Sequence, residues 1–363
     1  MNWAWIFKGE TAVNDKVFQL LEEKQLDALI VKSVPNKIYF QSLKGSGVYL
    51  VISKSEVAQF FDGRYRQEIK EQTDRHYKQY EVPKGRYIEE ITAYLKKIAV
   101  KRLGIESTGL SIQEYRFLTA TFDVCLLQDE LERIRSIKTK AECQKIQAVC
   151  QLTDEVFTSV LPQITIGMTE LELSGIIHYE AFKRGASAMA FEPIIASGFR
   201  GAYPHGRPTT KRIEHGELLT IDFGLILDHY QSDMTRTLAV GTIDSRLRDL
   251  YQTVLSAQTK AVSEIRSGLS GSAIDRIARE VIDEAGYSEY FTHGLGHGIG
   301  IGHDVPILSP RSQMILEEGM VMTCEPGIYI PDIGGVRIED VVMIQGGVGK
   351  QLTLSEKELI EVG

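Results

Sequence analysis

Two carboxylates placed at the ends of apolar runs constrain this chain more than any other feature. Leu218, Leu219 and Ile221 form a short apolar run ending at Asp222, and after a break at Gly224 a second run, Met234 to Val240, opens just behind Asp233. Both runs read as buried strands, because they are short and apolar and are bounded by glycine or polar residues. The aspartates lie eleven residues apart, a spacing that suits neighbouring antiparallel strands joined by a loop or bulge. Carboxylates at adjacent strand ends repel one another and are costly to bury unpaired. A cation between them removes the conflict. Two solvated strand-end aspartates are the ordinary alternative, and the rest of the chain decides between them.

At 363 residues the chain exceeds what one ordinary core holds, so two domains are expected. The net charge of −8 argues against a nucleic-acid or anionic-membrane partner. Cys125, Cys143, Cys150 and Cys324 show no paired spacing and suit a reducing, cytoplasmic setting, where they serve as small buried hydrophobes. The N-terminus lacks a basic leading segment, and its apolar run is too short for a signal peptide or a membrane span. Trp3 and Trp5 suit either packing onto their own domain or anchoring onto a partner subunit.

Residues 17–125 alternate helix-like and strand-like segments, the pattern of an α/β domain. Val17 to Leu26 and Tyr87 to Val100 have helical spacing; Ala28–Val31, Gly47–Ser53, Leu103–Glu106 and Val124–Leu127 read as strands, with Ser111 as a helix cap. Asp62-Gly63-Arg64-Tyr65 reads as a surface turn. Charge then dominates from Asp129 to Lys140, which marks the boundary between domains 1–130 and 131–363. Long helices follow: about 140–161, stopped by Pro162; one opening at Thr169 with a capping-type start; 245–266; and 272–285, ended by Gly286. Strand pairs lie between them, and no repeat or low-complexity tract occurs.

Four further stretches join the aspartates. They are Tyr203-Pro204-His205-Gly206; the glycine-rich run holding His293, His297 and His303-Asp304; Glu325 at the end of Val321–Cys324; and Arg337-Ile338-Glu339-Asp340. By strand alternation Arg337 and Glu339 share a face opposite Ile338. A lone histidine or a glycine-rich loop says little. Four carboxylates within or at the ends of apolar strands, beside a His-Gly loop, need cations. Asp, Asp, His, Glu and Glu form a mostly hard-oxygen donor set without thiolate, which suits Mn²⁺, Co²⁺, Fe²⁺ or Zn²⁺ in a reactive site better than structural zinc. Five side chains exceed what one open catalytic ion takes and suit two ions sharing carboxylates.

In this order the motifs resemble the metallopeptidases of the pita-bread fold, family M24, and within it the Xaa-Pro peptidases of the prolidase and aminopeptidase P branch. The resemblance implies an α+β pita-bread catalytic domain preceded by a smaller α/β creatinase/prolidase-type N-terminal domain. It implies two divalent ions per subunit, Mn²⁺ foremost, with Asp222 chelating one, His297 and Glu325 binding the other, and Asp233 and Glu339 bridging. Glu325 would also be the acid/base and His205 would assist proton transfer. His293 and His303 would act on the scissile carbonyl and hold the substrate's proline end, and Arg337 would lie near a substrate or bridging carboxylate. The substrates implied are small peptides with proline second, and the assembly a homodimer. His303 follows His297 by six residues, one fewer than the family pattern has, and Asp304 stands where glutamate is common.

The ligand set suits attack on the scissile carbonyl by a hydroxide held between two ions, with Glu325 passing the proton to the leaving nitrogen. An Xaa-Pro bond has no N–H, so its site must bind shape and chain ends. Methionine-type aminopeptidases share the five ligands but usually lack an N-terminal domain. Creatinase-like hydrolases and non-catalytic pita-bread modules have lost the ligands that this chain keeps.

Overall fold

The computed structural model describes residues 11–71 and 77–363; Trp3 and Trp5 fall outside them. The chain divides into two compact units, Met1–Arg135 and Ser136–Gly363.

The first unit is a six-stranded sheet with helices. Its strand order is Lys78–Glu81, Val57–Phe61, Val48–Ser53, Ala28–Val31, Arg102–Glu106, Asp123–Leu127. Helix Tyr87–Lys97 lays Ile88, Ile91, Tyr94 and Leu95 onto the sheet residues Ile30, Val51 and Phe60. These helix positions recur at three and four residues, so one stripe meets the sheet. Glu89 and Glu90 in its first turn and Lys96 and Lys97 in its last complement the helix dipole. Ser111 caps helix Ile112–Thr119 in a reciprocal pair with Glu114, the cap expected there. The short helix Val34–Tyr39 had no periodic signal; it starts because Ser33 accepts from the Asn36 N–H and proline fits its first turn. The Asp62 tetrad is more than a surface turn. The Asp62 carboxylate is buried, accepts from the Arg64 backbone and guanidinium and from the Tyr87 hydroxyl, and so starts a 3-10 turn.

The second unit interleaves long helices with four small sheets. Helices Lys140–Val160 and Glu170–Lys183 both open with capping boxes, Thr139 with Glu142 and Thr169 with Glu172, each cap contributing roughly 1 kcal/mol. Pro162 lies in the 3-10 turn that follows the first. Helices Ser245–Glu264 and Gly271–Glu284 bury Leu250, Val254, Ala261, Ile274, Ala278 and Ile282 in one core with Met322, Ile328, Val336, Ile338 and Val342. That core backs the strands whose other faces carry the polar residues. One sheet runs Glu361–Val362, Met234–Val240, Leu218–Phe223, Ile194–Ser197; another runs Gly302–Leu308, Gly296–Gly300, Val321–Cys324, Asp340–Gln345, Val348–Gln351. A hairpin, Gly327–Ile330 with Gly334–Arg337, stands beside them. Among the described residues no helix is long and apolar enough to cross a membrane.

Candidate metal centre

Strand pairing explains the spacing of the first two aspartates. Leu218–Phe223 and Met234–Val240 run antiparallel with Phe223 opposite Met234 and Asp222 opposite Thr235. The intervening residues leave the sheet as a small hairpin, Leu225–Leu227 with Tyr230–Gln231, turning through Asp228 and His229 at φ of 49° and 74°. Two consecutive left-handed residues are the tight hairpin turn that matches strand twist. The excursion is pinched at its base: a Cβ on Gly224 would stand 2.1 Å from the Ser232 carbonyl oxygen, so only glycine closes it. Asp222 and Asp233 are thereby returned to one place.

The other donors come from the second sheet. His297 lies on Gly296–Gly300, which pairs with Val321–Cys324 at Gly298 and Met322, and Glu325 follows directly. The approach is close; a Cβ on Gly296 would meet the Thr323 carbonyl oxygen at 2.2 Å. Thr323 Oγ1 accepts from the His297 N–H at 3.0 Å and donates to Glu325 Oε1 at 2.9 Å, so one hydroxyl orders two donors. Glu339 is stapled across to the first sheet: its N–H donates to the Thr235 carbonyl at 3.1 Å, and Thr235 Oγ1 donates to Glu339 Oε2 at 2.6 Å. Ile338 between them points into the core with Val336, the alternation expected of Arg337 and Glu339.

All nine residues singled out from the sequence line one cavity of about 560 Å³: His205, Asp222, Asp233, His293, His297, His303, Glu325, Arg337 and Glu339. Carboxylate oxygens of Asp222, Asp233 and Glu339 lie within 4.8 Å of one another, as do single donor atoms of Asp233, His297 and His303. His297 Nε2 is 3.7 Å from Asp233 Oδ2 and 3.7 Å from Glu325 Oε1. Its Nδ1 faces the Gly298 carbonyl at 3.0 Å, which fixes that nitrogen as the N–H and leaves the Nε2 lone pair for a ligand. Burial, with neighbouring carboxylates, holds the pKa values of Asp233 and Glu339 well above the usual carboxylate range; burial raises that of Glu325 as well. Asp222 Oδ1 is buried with no hydrogen-bond partner among the described residues. An orphaned carboxylate oxygen, three proton-hungry acids and a free imidazole lone pair are what a donor set looks like around divalent ions. The residues fit such ions.

Around them runs a network that the sequence did not reveal. The Arg337 guanidinium donates to Asp222 Oδ2, to the Tyr329 hydroxyl at 2.9 Å, to the Pro204 carbonyl at 3.0 Å and to Thr235 Oγ1 at 3.1 Å. Tyr329 OH also lies 2.8 Å from His293 Nε2. Burial lowers the His293 pKa to about 4 and raises that of Tyr329 to about 12, so both are neutral at pH 7. Beneath the site, fully buried Arg236 donates to the Glu339 carbonyl at 2.6 Å and to Asp340 Oδ1 at 2.8 Å. Asp340 also accepts from Gln258 and Thr353 and pairs with Lys357. Tyr329, Thr235 and Thr323 carry no motif signal; their only mark is position, each within four residues of a carboxylate that the sequence did single out.

Residues 144–346 match metallopeptidase family M24, and residues 15–137 match the creatinase/prolidase N-terminal domain. The chain is 37% identical over 351 residues to an Xaa-Pro dipeptidase of Pyrococcus furiosus, covering 95% of this chain and 99% of that protein. The structure of an Xaa-Pro dipeptidase from Bacillus anthracis superposes with a TM-score of 0.91 at 35% identity, over 97% of this chain and 99% of that one. An X-Pro aminopeptidase from Thermotoga maritima gives 0.83 at 32% identity, over 93% and 98%. With an expected α+β catalytic fold, an N-terminal domain of matching type and a carboxylate-rich centre suited to divalent ions, the chain belongs to metallopeptidase family M24 and is an enzyme of that family.

Proposed function

We propose that this enzyme removes an N-terminal residue from proline, acting on small Xaa-Pro peptides with two divalent ions per subunit. The observation that carries the reading is the convergence of Asp222, Asp233, His297, Glu325 and Glu339 on one cavity in a chain similar throughout its length to Xaa-Pro dipeptidases. In it Asp222 would hold one ion, His297 and Glu325 would hold the other, and Asp233 and Glu339 would be shared between them. When bound, such ions supply Lewis acidity and make a nearby water acidic enough to lose a proton near neutral pH. Mn²⁺ is the proposed metal, since four of five donors are carboxylates.

The residues divide the remaining work. Glu325 takes a proton from the attacking water and delivers it to the departing proline nitrogen. His205, in the loop whose Pro204 carbonyl is fixed by Arg337, donates to the oxygen that gains charge at the tetrahedral carbon. His293, held neutral and aligned by Tyr329, packs against the substrate's proline end. Arg337 holds Asp222 in orientation through its hydrogen bond to Oδ2. The substrate's free amine lies toward the carboxylates. Domains 1–130 and 131–363, a homodimer and a cytoplasmic setting complete the proposal; the four unpaired cysteines accord with the last.

Hydrolysis of Xaa-Pro dipeptides, Xaa-Pro-Yaa tripeptides and matched Xaa-Ala peptides is the direct assay, run with Mn²⁺ and with Co²⁺. Metal-dependent cleavage of the proline peptides, absent for the alanine ones, is expected. Equal or faster cleavage of peptides starting with methionine and lacking proline would overturn the specificity.

A further inference from the structure

His303 differs from the other histidines of the cavity in what its ring does. It lies nearly flat on His297, with centroids 4.1 Å apart and planes at 23°. A ring nitrogen of His303, one of His297 and a carboxylate oxygen of Asp233 all fall within 4.8 Å of one another. The backbone brings this about. The hairpin turns through Ile301 between Gly300 and Gly302, which sets His303 opposite Ile299 on the strand that carries His297. The next residue, Asp304, is buried and pairs with buried Lys138 at 3.2 Å. Neighbouring side chains on a strand take opposite faces, so anchoring Asp304 away from the cavity presents His303 to it.

His293 makes the contrast. Its Nδ1 is 2.8 Å from the Gly294 carbonyl and its Nε2 is 2.8 Å from the Tyr329 hydroxyl, so both nitrogens are engaged and neither can bind an ion.

We infer that His303 is an additional ligand of the ion held by His297 and Glu325, with Asp233 as the shared carboxylate. The inference rests on the two-ion reading above. It adds a second neutral nitrogen to an otherwise carboxylate-rich set, which strengthens retention of borderline ions such as Co²⁺ or Zn²⁺ over Mg²⁺ or Ca²⁺. It also gives the short hairpin a purpose: tightening the turn exchanges reach toward a substrate for reach toward the ion.

The test uses the full chain loaded with Co²⁺, titrated with a chelator, with bound cobalt counted by elemental analysis and its visible absorption recorded. The wild type is expected to lose its ions at one characteristic chelator concentration. In His303→Ala one of the two ions should leave at a chelator concentration at least about tenfold lower, with a changed cobalt band; even residues that only support a ligand shift metal affinity by about 10–100-fold. His303→Phe keeps a ring to stack on His297 but has no nitrogen, and should lose the ion like the alanine variant. His303→Glu supplies a substitute donor and should recover retention. His293→Ala should leave it unchanged. If His303→Phe or His303→Ala retains both ions with an unaltered band, His303 is not a ligand and the inference is overturned. If the wild type itself binds no divalent ion, the two-ion reading falls first, and the two failures are told apart by that single measurement.

Discussion

Arg337 spreads one guanidinium over Asp222, Tyr329, Thr235 and the Pro204 carbonyl, and Asp233, Glu325 and Glu339 crowd together beside it, their pKa values raised despite its charge. Burial raises the pKa of all three. A group whose pKa is higher folded than unfolded stabilises the fold fully at low pH, and that contribution is lost as pH rises through the folded value. Metal-free protein should therefore melt at progressively lower temperature as pH rises through the range in which these raised acids ionise. His293, whose pKa of about 4 lies below the ordinary histidine value of about 6.5, opposes the trend up to that value, so the acids' trend is read above neutral pH. Loaded protein, whose carboxylates are neutralised by ions, should show a flat profile, and ions at a hundredfold excess over Kd add about 2.7 kcal/mol. Parallel thermal melts with and without chelator read this directly; matching slopes would mean that the three acids are not held together. The acids and histidines were legible in the sequence because charge at the end of an apolar run is anomalous there. Tyr329, Thr235 and Thr323 were not, because a hydroxyl in a strand is ordinary until its partner is seen.

At the scale of elements, the loop carrying His205 is held by a residue far from it in the chain. Glu170 opens helix Glu170–Lys183 and is fully buried. Its Oε1 accepts from the Ser197 N–H at 2.9 Å and from Ser197 Oγ at 3.0 Å; its Oε2 accepts from Arg200 and from the Thr209 N–H and hydroxyl at 3.0 and 2.8 Å. Both ends of the 197–209 segment are thus tied to one carboxylate. Glu170→Gln keeps the shape but loses the charge-assisted bonds. It should lower kcat about 10- to 100-fold, the usual cost of a displaced catalytic group, while bound metal stays at the wild-type level. Unchanged kcat would mean that the loop holds its place without Glu170. The long helices were readable from their caps and periodicity, and the observed bounds fall within two residues of those expected for Lys140–Val160, Ser245–Glu264 and Gly271–Glu284. Val34–Tyr39 and the strands Val57–Phe61 and Lys78–Glu81 were not: they are too short for a period to register, and tertiary pairing makes them.

For the whole molecule, every one of the nine cavity residues lies in the Ser136–Gly363 unit, which has its own apolar core. A fragment of residues 136–363 should fold and bind divalent ions with near-native stoichiometry, measured by elemental analysis. A fragment that folds but binds no ion would show that this unit does not hold the site by itself. The shift to charge after Asp129 places the expected boundary at 130/131, whereas the compact units part between Arg135 and Ser136. How the second unit folds its strands into several small sheets was not legible, since period and propensity say nothing about which strand pairs with which.

Asp222 and Asp233 sit on or directly beside strands of one sheet, whereas His297 and Glu325 sit on or directly beside strands of another more than sixty residues further along. An ion gripped by both acts as a rivet between parts that meet late along the chain. Without it, the sheets are tied by fewer bonds, those of Thr235 with Glu339 and of Arg236 with Asp340 among them, and amide exchange should run at different rates in Leu218–Phe223 and Val321–Cys324. With it, opening either strand means releasing the ion, so the two rates should converge and slow together. Hydrogen exchange followed segment by segment would then register metal loading as a change in how much of the molecule opens at once, before any peptide is cut.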